Sequence, residues 1–445
     1  MNIKSLKTAL FEKAKQAGFI DCEIYYSLSS VFSISIYKGE IEKYKNSESG
    51  GFSFRGLYNG KMGYYFSETL DIDLDDVIIK TKENASIISS DDKEFIFEGS
   101  NEYPNLSTYS DKINEVSAIE KINIAKELEK YAYEYDKRIS VNTSVVSSSE
   151  SYVYISNTKG LELSDKSNAL FAYIKVLATN DNETKEKLEY WTGEDLKELN
   201  TKELAESACK KAILSLGGIS IKSGDIKAII ENKVFADLLE CFVGNFYADN
   251  VQKGFSLLKG KLNNSIAGSN ITIIDNPLLK NGYASANFDS EGVASFNKTV
   301  VDKGILKSYL YNLKSAYIDG VQSTGNGFKT GFKGTVSTST TNFYIQNGDE
   351  AIEKIIEGVD YGIIVTNVAG LHSGTNSISG DFSLAAGGFL IKQGQILDYV
   401  DQITIAGNFF DILKSVDAIA NDLEFNLSAI GSPSLLISNI QVSGL

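Results

Sequence analysis

Imidazole is almost missing from this chain. Its 445 residues include one histidine, His372, and two arginines, Arg55 and Arg138, and its 43 basic residues face 58 acidic ones for a net charge of −15. Nucleic-acid binding needs a basic surface that displaces counterions, so a direct nucleic-acid role is disfavoured. The lysine-rich run at 202–211 reads as a solvated helix face. Cysteine is scarce as well: Cys22, Cys209 and Cys241 are far apart and odd in number, which argues against a disulfide framework and for a reducing compartment. They read as small buried apolar residues. A cysteine nucleophile wants a histidine base, and His372 itself reads as a solvent-facing loop residue. No apolar run reaches membrane-spanning length, and the first residues, MNIKSLKTALFEKAKQAGF, read as an amphipathic helix rather than a signal peptide. A cytoplasmic protein is expected. The stretch 325–334 lacks G-x-x-x-x-G-K-[ST], and no G-x-G-x-x-G follows a strand, so nucleotide cofactors are not expected.

What is present predicts an α+β fold of two domains, mostly antiparallel sheets with packed helices: an N-terminal α/β layer over 1–220 and a β-rich C-terminal domain over 225–445. A helix is expected over 3–16, with Ile3, Leu6, Leu10 and Ala14 on one face and a stop at Gly18. Strands follow at 22–27, 31–37, 40–45, 51–57 and 61–66, with Lys38-Gly39 and Asn59-Gly60 as tight turns. Helices are expected over 71–88, 110–135 and 201–216. Strands are expected at 140–148, 151–157 and 169–178, with Ser147 to Ser151 as a hairpin tip. The polar segment 220–224 marks the boundary. Beyond it, the pattern predicts strands at 226–230, 271–275, around Ala286, and at 299–302, 305–311, 362–368, 388–392, 395–400 and 435–442. A helix is expected over 410–418. The stretch 323–341 is rich in Ser, Thr, Gly and Asn and too long for a plain connection, which marks a mobile or functional loop.

The stretch 231–258 holds an amphipathic helix. Phe235, Leu238, Leu239, Phe242 and Phe246 form one apolar stripe, Glu240 lies well away from it, and 249–254 reads as a polar loop with a Lys-Gly turn. The run Val251-Gln252-Lys253-Gly254-Phe255-Ser256, with Asp289-Ser290-Glu291-Gly292-Val293 and Ser379-Gly380-Asp381-Phe382-Ser383-Leu384, resembles the TldD/PmbA family of peptidases, also called modulators of DNA gyrase. The chain is most similar to the PmbA (TldE) branch, strongly in its second half and weakly in its first.

The resemblance implies several expectations. In the TldD branch the equivalent helix carries H-E-x-x-x-H, whose histidines hold zinc. Counted back from Lys253-Gly254, those positions are Leu239, Glu240, Cys241, Phe242, Val243 and Gly244. Only the glutamate remains, and a lone carboxylate cannot supply the three protein ligands of a catalytic zinc. The cysteine of the TldD branch falls near Ile419. The resemblance therefore implies a subunit without its own cofactor, in which Glu240 is vestigial and zinc belongs to a TldD-like partner acting on unfolded peptides. It places Thr324, Gly325, Asn326, Gly380, Asp381 and Phe382 near the peptide-binding cleft, where small and amide-bearing residues suit capture of an extended main chain. A homodimer and a heterodimer both fit. So does a non-catalytic peptide-binding scaffold, and an independent hydrolase using Cys241 or a carboxylate-held metal at Asp249, Asp289 or Glu291 is the remaining alternative.

Overall fold

The computed structural model describes residues 2–89, 93–181 and 183–445. Helix α1 (Ile3–Gln16) begins at Asn2, whose side chain accepts the Ser5 N–H, and buries Leu6, Leu10 and Ala14. Six antiparallel strands follow as one sheet in the order β3-β2-β1-β4-β5-β6: β1 (Cys22–Tyr37), β2 (Glu40–Tyr58), β3 (Lys61–Ser67), β4 (Ile139–Asn157), β5 (Glu162–Asn180) and β6 (Glu183–Gly193). Lys38-Gly39 and Asn59-Gly60 all have positive φ, the left-handed pair that a two-residue hairpin requires.

The expected breaks within these strands are absent. Ser29 pairs with Ser49 on one side and Ser151 on the other, so the serine-rich stretches continue the ladder and Ser147 to Ser151 is mid-strand rather than a hairpin tip. An antiparallel sheet can face water on one side, so polar residues there do not end a strand. β6 is an additional strand that the sequence pattern did not predict.

Side-chain alternation gives the sheet two distinct faces. Ile24, Ile34 and Ile36 of β1 pack into the clusters beneath the helices: α2 (Leu74–Ile87) with α1 on one side, and α4 (Ala118–Tyr135) with α5 (Thr201–Leu214) on the other. The helix expected over 110–135 is two pieces. α3 (Asp111–Glu115) ends at Val116, and Ser117 with Glu120 forms a capping box that starts α4. The opposite face, with Glu23 and Tyr25, turns toward the C-terminal half, where Tyr25 packs with Phe288.

The C-terminal half is built on a closed ring of strands. β7 (Gly224–Ile230) runs parallel to 361–369 and antiparallel to 435–443, while 381–392 joins 361–369 to 395–408, which pairs back onto 435–443. A second sheet holds 273–275, 298–302, 343–345 and 430–432. Between them lies the largest core, into which α6 (Asn232–Phe242) inserts Phe235, Leu238, Leu239 and Phe242. The expected polar loop after α6 is a short helix, α7 (Ala248–Lys253), closed by left-handed Gly254. The expected helix over 410–418 ends at Lys414, and Val416–Ile419 is a strand. The expected strand over 305–311 is regular only at Ile305–Leu306, and near Ala286 only an isolated Phe288–Ala294 bridge forms. The segment 323–341 carries a short hairpin, Gly327–Lys329 with Val336–Thr338. Among the described residues no helix is long and apolar enough to cross a membrane.

Candidate functional site

A cleft of about 490 Å³ lies where β6 and α5 face α6. α6 starts where β7 ends: the Glu231 N–H donates to the Val365 carbonyl and the Asn232 N–H to Ser434 Oγ. With the apolar stripe in the core and Phe242 stacked on Phe409 at 4.5 Å, the other helix face presents Lys233, Asp237 and Glu240 to the cleft, spaced as neighbours on one surface.

Asn426 joins the two carboxylates. Its Nδ2 donates to Asp237 Oδ1 (3.0 Å) and Glu240 Oε2 (2.7 Å), and its Oδ1 accepts the Ser428 and Ile430 N–H groups. Burial pushes the Asp237 carboxyl up, the Asn426 amide pulls it back, and the Glu240 charge adds to the rise. On the facing wall Lys211 Nζ lies 2.5 Å from Glu189 Oε1, and Lys233 Nζ reaches across from α6 to lie 4.5 Å over the Tyr190 ring. Burial raises Glu231 and lowers Lys187, whose Nζ donates to Asn367 Oδ1. The cleft thus offers lysine donors and carboxylate acceptors at close range, which suits a polar main chain.

The groups offered by the sequence for chemistry are differently placed. Cys241 donates its Sγ–H to the Asp237 carbonyl (3.4 Å), and burial raises its pKa, so it is a thiol rather than a thiolate nucleophile. His372 is exposed on the short helix Leu371–Gly374, which packs against α6.

The residues do not fit a zinc ion. Leu239 is fully buried in the core, Gly244 has no donor atom, and Glu240 is held by Asn426. Moving the register by one residue does not restore a donor set: the Asn245 amide donates to the Phe242 and Ser377 carbonyls, and its Oδ1 accepts the Leu257 N–H. Ile419 is an apolar strand residue packed on the core. Among the described residues no cluster of three His, Cys, Asp or Glu side chains is arranged to hold a metal. Asp249 lies 3.6 Å from Lys253, while Asp289 and Glu291 sit in a separate buried cluster.

The six residues placed near the cleft from the sequence lie outside its walls. Thr324, Gly325 and Asn326 are buried in a polar knot: Thr324 Oγ1 donates to Asn326 Oδ1, Asn326 Nδ2 to Asp275 Oδ2, and Lys298 Nζ to Asn326 Oδ1. Gly380 is buried in a left-handed turn, Phe382 is in the core, and Asp381 is exposed and accepts from Asn408. Sequence reasoning missed Asp237, Glu189, Lys211 and Asn426. Asp237 was within reach, three residues before Glu240 on the polar face. Asn426 is 186 residues from Glu240, and no local pattern joins them.

Family models of the PmbA/TldA metallopeptidase match in order: domain 1 over 22–86, the central domain over 111–216 and the C-terminal domain over 223–444. A Thermotoga maritima crystal structure solved as a modulator of DNA gyrase is 30% identical, covers 99% of this chain and 100% of its own, and superposes with a TM-score of 0.93. The metalloprotease PmbA of Escherichia coli O157:H7 is 27% identical over 95% of this chain and 92% of its own. TldE from Thermococcus kodakarensis shares the fold, with a TM-score of 0.89 at 20% identity over 99% of this chain and 100% of its own.

Proposed function

The chain belongs to the PmbA/TldD metallopeptidase family, and within it we propose the role of a PmbA/TldE-like subunit of a cytoplasmic, two-component peptidase acting on unfolded peptides. The observation that supports this reading is the α6 helix: Leu239, the position that the resemblance assigns to the first zinc histidine, faces the core, and the carboxylate beside it is engaged by Asn426. Hydrolysis would then belong to a partner with H-E-x-x-x-H, and this chain would complete the binding surface. Lys187, Lys211 and Lys233 donate and Asp237 and Glu240 accept along one wall or the other of the cleft, a pattern suited to main-chain carbonyls and amides whatever the side chains. The polar knot of Thr324, Gly325 and Asn326 would act as support for the loop 323–341, and exposed Asp381 would remain open to direct peptide contact. The division between the two halves falls at 220–224.

The test compares the purified chain alone with a mixture containing a family member that carries H-E-x-x-x-H, measuring bound zinc, assembly mass and cleavage of an unstructured peptide. Zinc and cleavage only in a mixed assembly support the subunit role. Zinc-dependent cleavage by the isolated chain, lost in Glu240→Gln, overturns it. Peptide binding without cleavage in either sample favours a scaffold.

A further inference from the structure

A second cavity, of about 470 Å³, opens on the other face of the N-terminal sheet and is nearly as large as the first. Its floor comes from cross-strand register: Glu23 of β1 is opposite Arg55 of β2, which is opposite Tyr64 of β3. Arg55 Nε–H donates to Glu23 Oε1 (2.7 Å), and Glu23 Oε2, although buried, has no partner. The C-terminal half adds Glu291, whose Oε2 accepts the Leu313 N–H (2.7 Å), and Lys329. Lys329 is the unusual member. Its Nζ lies 4.6 Å over the Tyr25 ring, and among the described residues no carboxylate oxygen is within ion-pairing distance of it. One wall is aromatic, with Phe66, Phe95 and Phe332 beside Tyr64, and charged Lys93, Glu94, Lys314 and Lys333 also line the cavity.

A half-buried ammonium with no anion of its own beside an apolar aromatic wall defines a ligand chemistry. We propose that this cavity binds an aromatic ring carrying a carboxylate, with Lys329 and Arg55 facing the carboxylate and the aromatic wall taking the ring. Two sources carry that chemistry, the C-terminal residue of a peptide and a free aryl-alkanoic acid. Glu291 offers an acceptor for an amide N–H, which favours the peptide. The volume is that of a small-ligand pocket, and a charge-assisted hydrogen bond to a desolvated lysine is stronger than its exposed counterpart. The inference stands apart from the subunit role, since it needs neither zinc nor a partner chain. Burial, and next the Arg55 charge, push the Lys329 amine down to about 8, while Glu23 and Glu291 pull it back up. The other titratable groups around the cavity are Tyr25, Tyr64 and Tyr65, the lysines Lys93, Lys314 and Lys333, and Glu94, which accepts the Tyr64 hydroxyl. An arriving carboxylate would restore the charged form, so binding near pH 8 takes up a proton.

Titration calorimetry on the full chain tests this with three probes: Ala-Ala-Phe as the free acid, its C-terminal amide and 3-phenylpropionate. The free acid is expected to bind saturably, with an enthalpy at pH 8 that changes with the ionisation enthalpy of the buffer, and the amide about tenfold or more weakly. Lys329→Gln and Phe66→Ala should each weaken the acid about tenfold, while Lys202→Gln, on an exposed helix face, leaves it unchanged. Phe66 is 55% exposed, so its truncation leaves the fold in place if Lys329→Gln proves unstable. Phenylpropionate matching the tripeptide acid assigns the site to free acids; clearly weaker phenylpropionate assigns it to peptide termini. Equal binding of acid and amide, no saturable binding of either acid, or wild-type affinity in both cavity variants overturns the proposal.

Discussion

Two buried charge clusters in this molecule differ in completeness. Around Asp275 every bond is made: its carboxylate takes Lys298 Nζ and Asn326 Nδ2 at 2.9 Å and the Thr341 N–H and Oγ1 at 2.7 and 2.8 Å, and Lys298 also reaches the Thr324 carbonyl. Around Arg55 one carboxylate oxygen of Glu23 is unpartnered and Lys329 faces a ring instead of an acid. Burying a charge is costly unless it is paired and hydrogen-bonded. The first cluster therefore holds the fold, joining the strand at 273–275 to the segment 323–341. The second leaves part of its desolvation cost uncompensated, and in the inferred role a ligand offsets it.

The sharpest way to break this contrast is to open the complete cluster. Asp275→Ala strands Lys298 in a fully buried site and should cost about 3–5 kcal/mol, read as a fall in the urea midpoint at unchanged slope. A loss below about 1 kcal/mol would show that the knot is not what secures the segment.

The α6 cleft is intermediate, because one amide satisfies two acids. Asn426→Asp replaces the shared donor with a third carboxylate next to Asp237 and Glu240. The variant should lose about 1–3 kcal/mol at neutral pH, and because hard divalent cations take oxygen ligands, Ca²⁺ should restore part of it. Thermal unfolding with and without Ca²⁺ decides. An unchanged melting temperature would mean that Asn426 is not what holds the two acids together.

These clusters also mark how far the sequence could be read. Lys38-Gly39 and Asn59-Gly60 were legible as turns, because each needs two residues in the left-handed region and the sequence supplies a glycine in each. α1 and the apolar stripe of α6 were legible from periodicity alone. Strand length was not: the polar stretches inside β1, β2 and β4 look like connections until a neighbouring strand supplies their hydrogen bonds. β6 hid for a related reason, since its alternating charged residues lie in one wall of a cleft that forms only when both halves meet. Glu240 was legible as a polar residue on the site-bearing helix, but its partner Asn426 comes from a distant loop. Thr324, Gly325 and Asn326 drew attention because the resemblance places them near the peptide-binding cleft, in a stretch rich in small polar residues. Composition does not separate a loop open to a ligand from one tied inward to Asp275; only the partner list does.

The smallest of the three effects sharpens the contrast most directly, because it reports on the incomplete cluster without any ligand. Lys329 is held near 8 in the folded chain, below its ordinary value of 10.5. Between those values the unfolded chain binds the proton and the folded chain has released it, so stability rises with pH across the window. Below about 8 both forms carry the charge, and the cost of burying it is present in full. Lys329→Gln removes that dependence while keeping a polar side chain of similar length. The variant should equal or exceed the wild type at pH 7, and the wild type should gain on it by about 1–2 kcal/mol as pH rises from 8 to 10, less than one full proton's slope because the residue is only half-buried. The same pair of chains at Lys298, wild type and Lys298→Gln, should behave oppositely at pH 7, where losing the paired lysine destabilises. If Lys329→Gln also destabilises at pH 7, the ammonium has a protein partner after all, and the second cluster is as complete as the first.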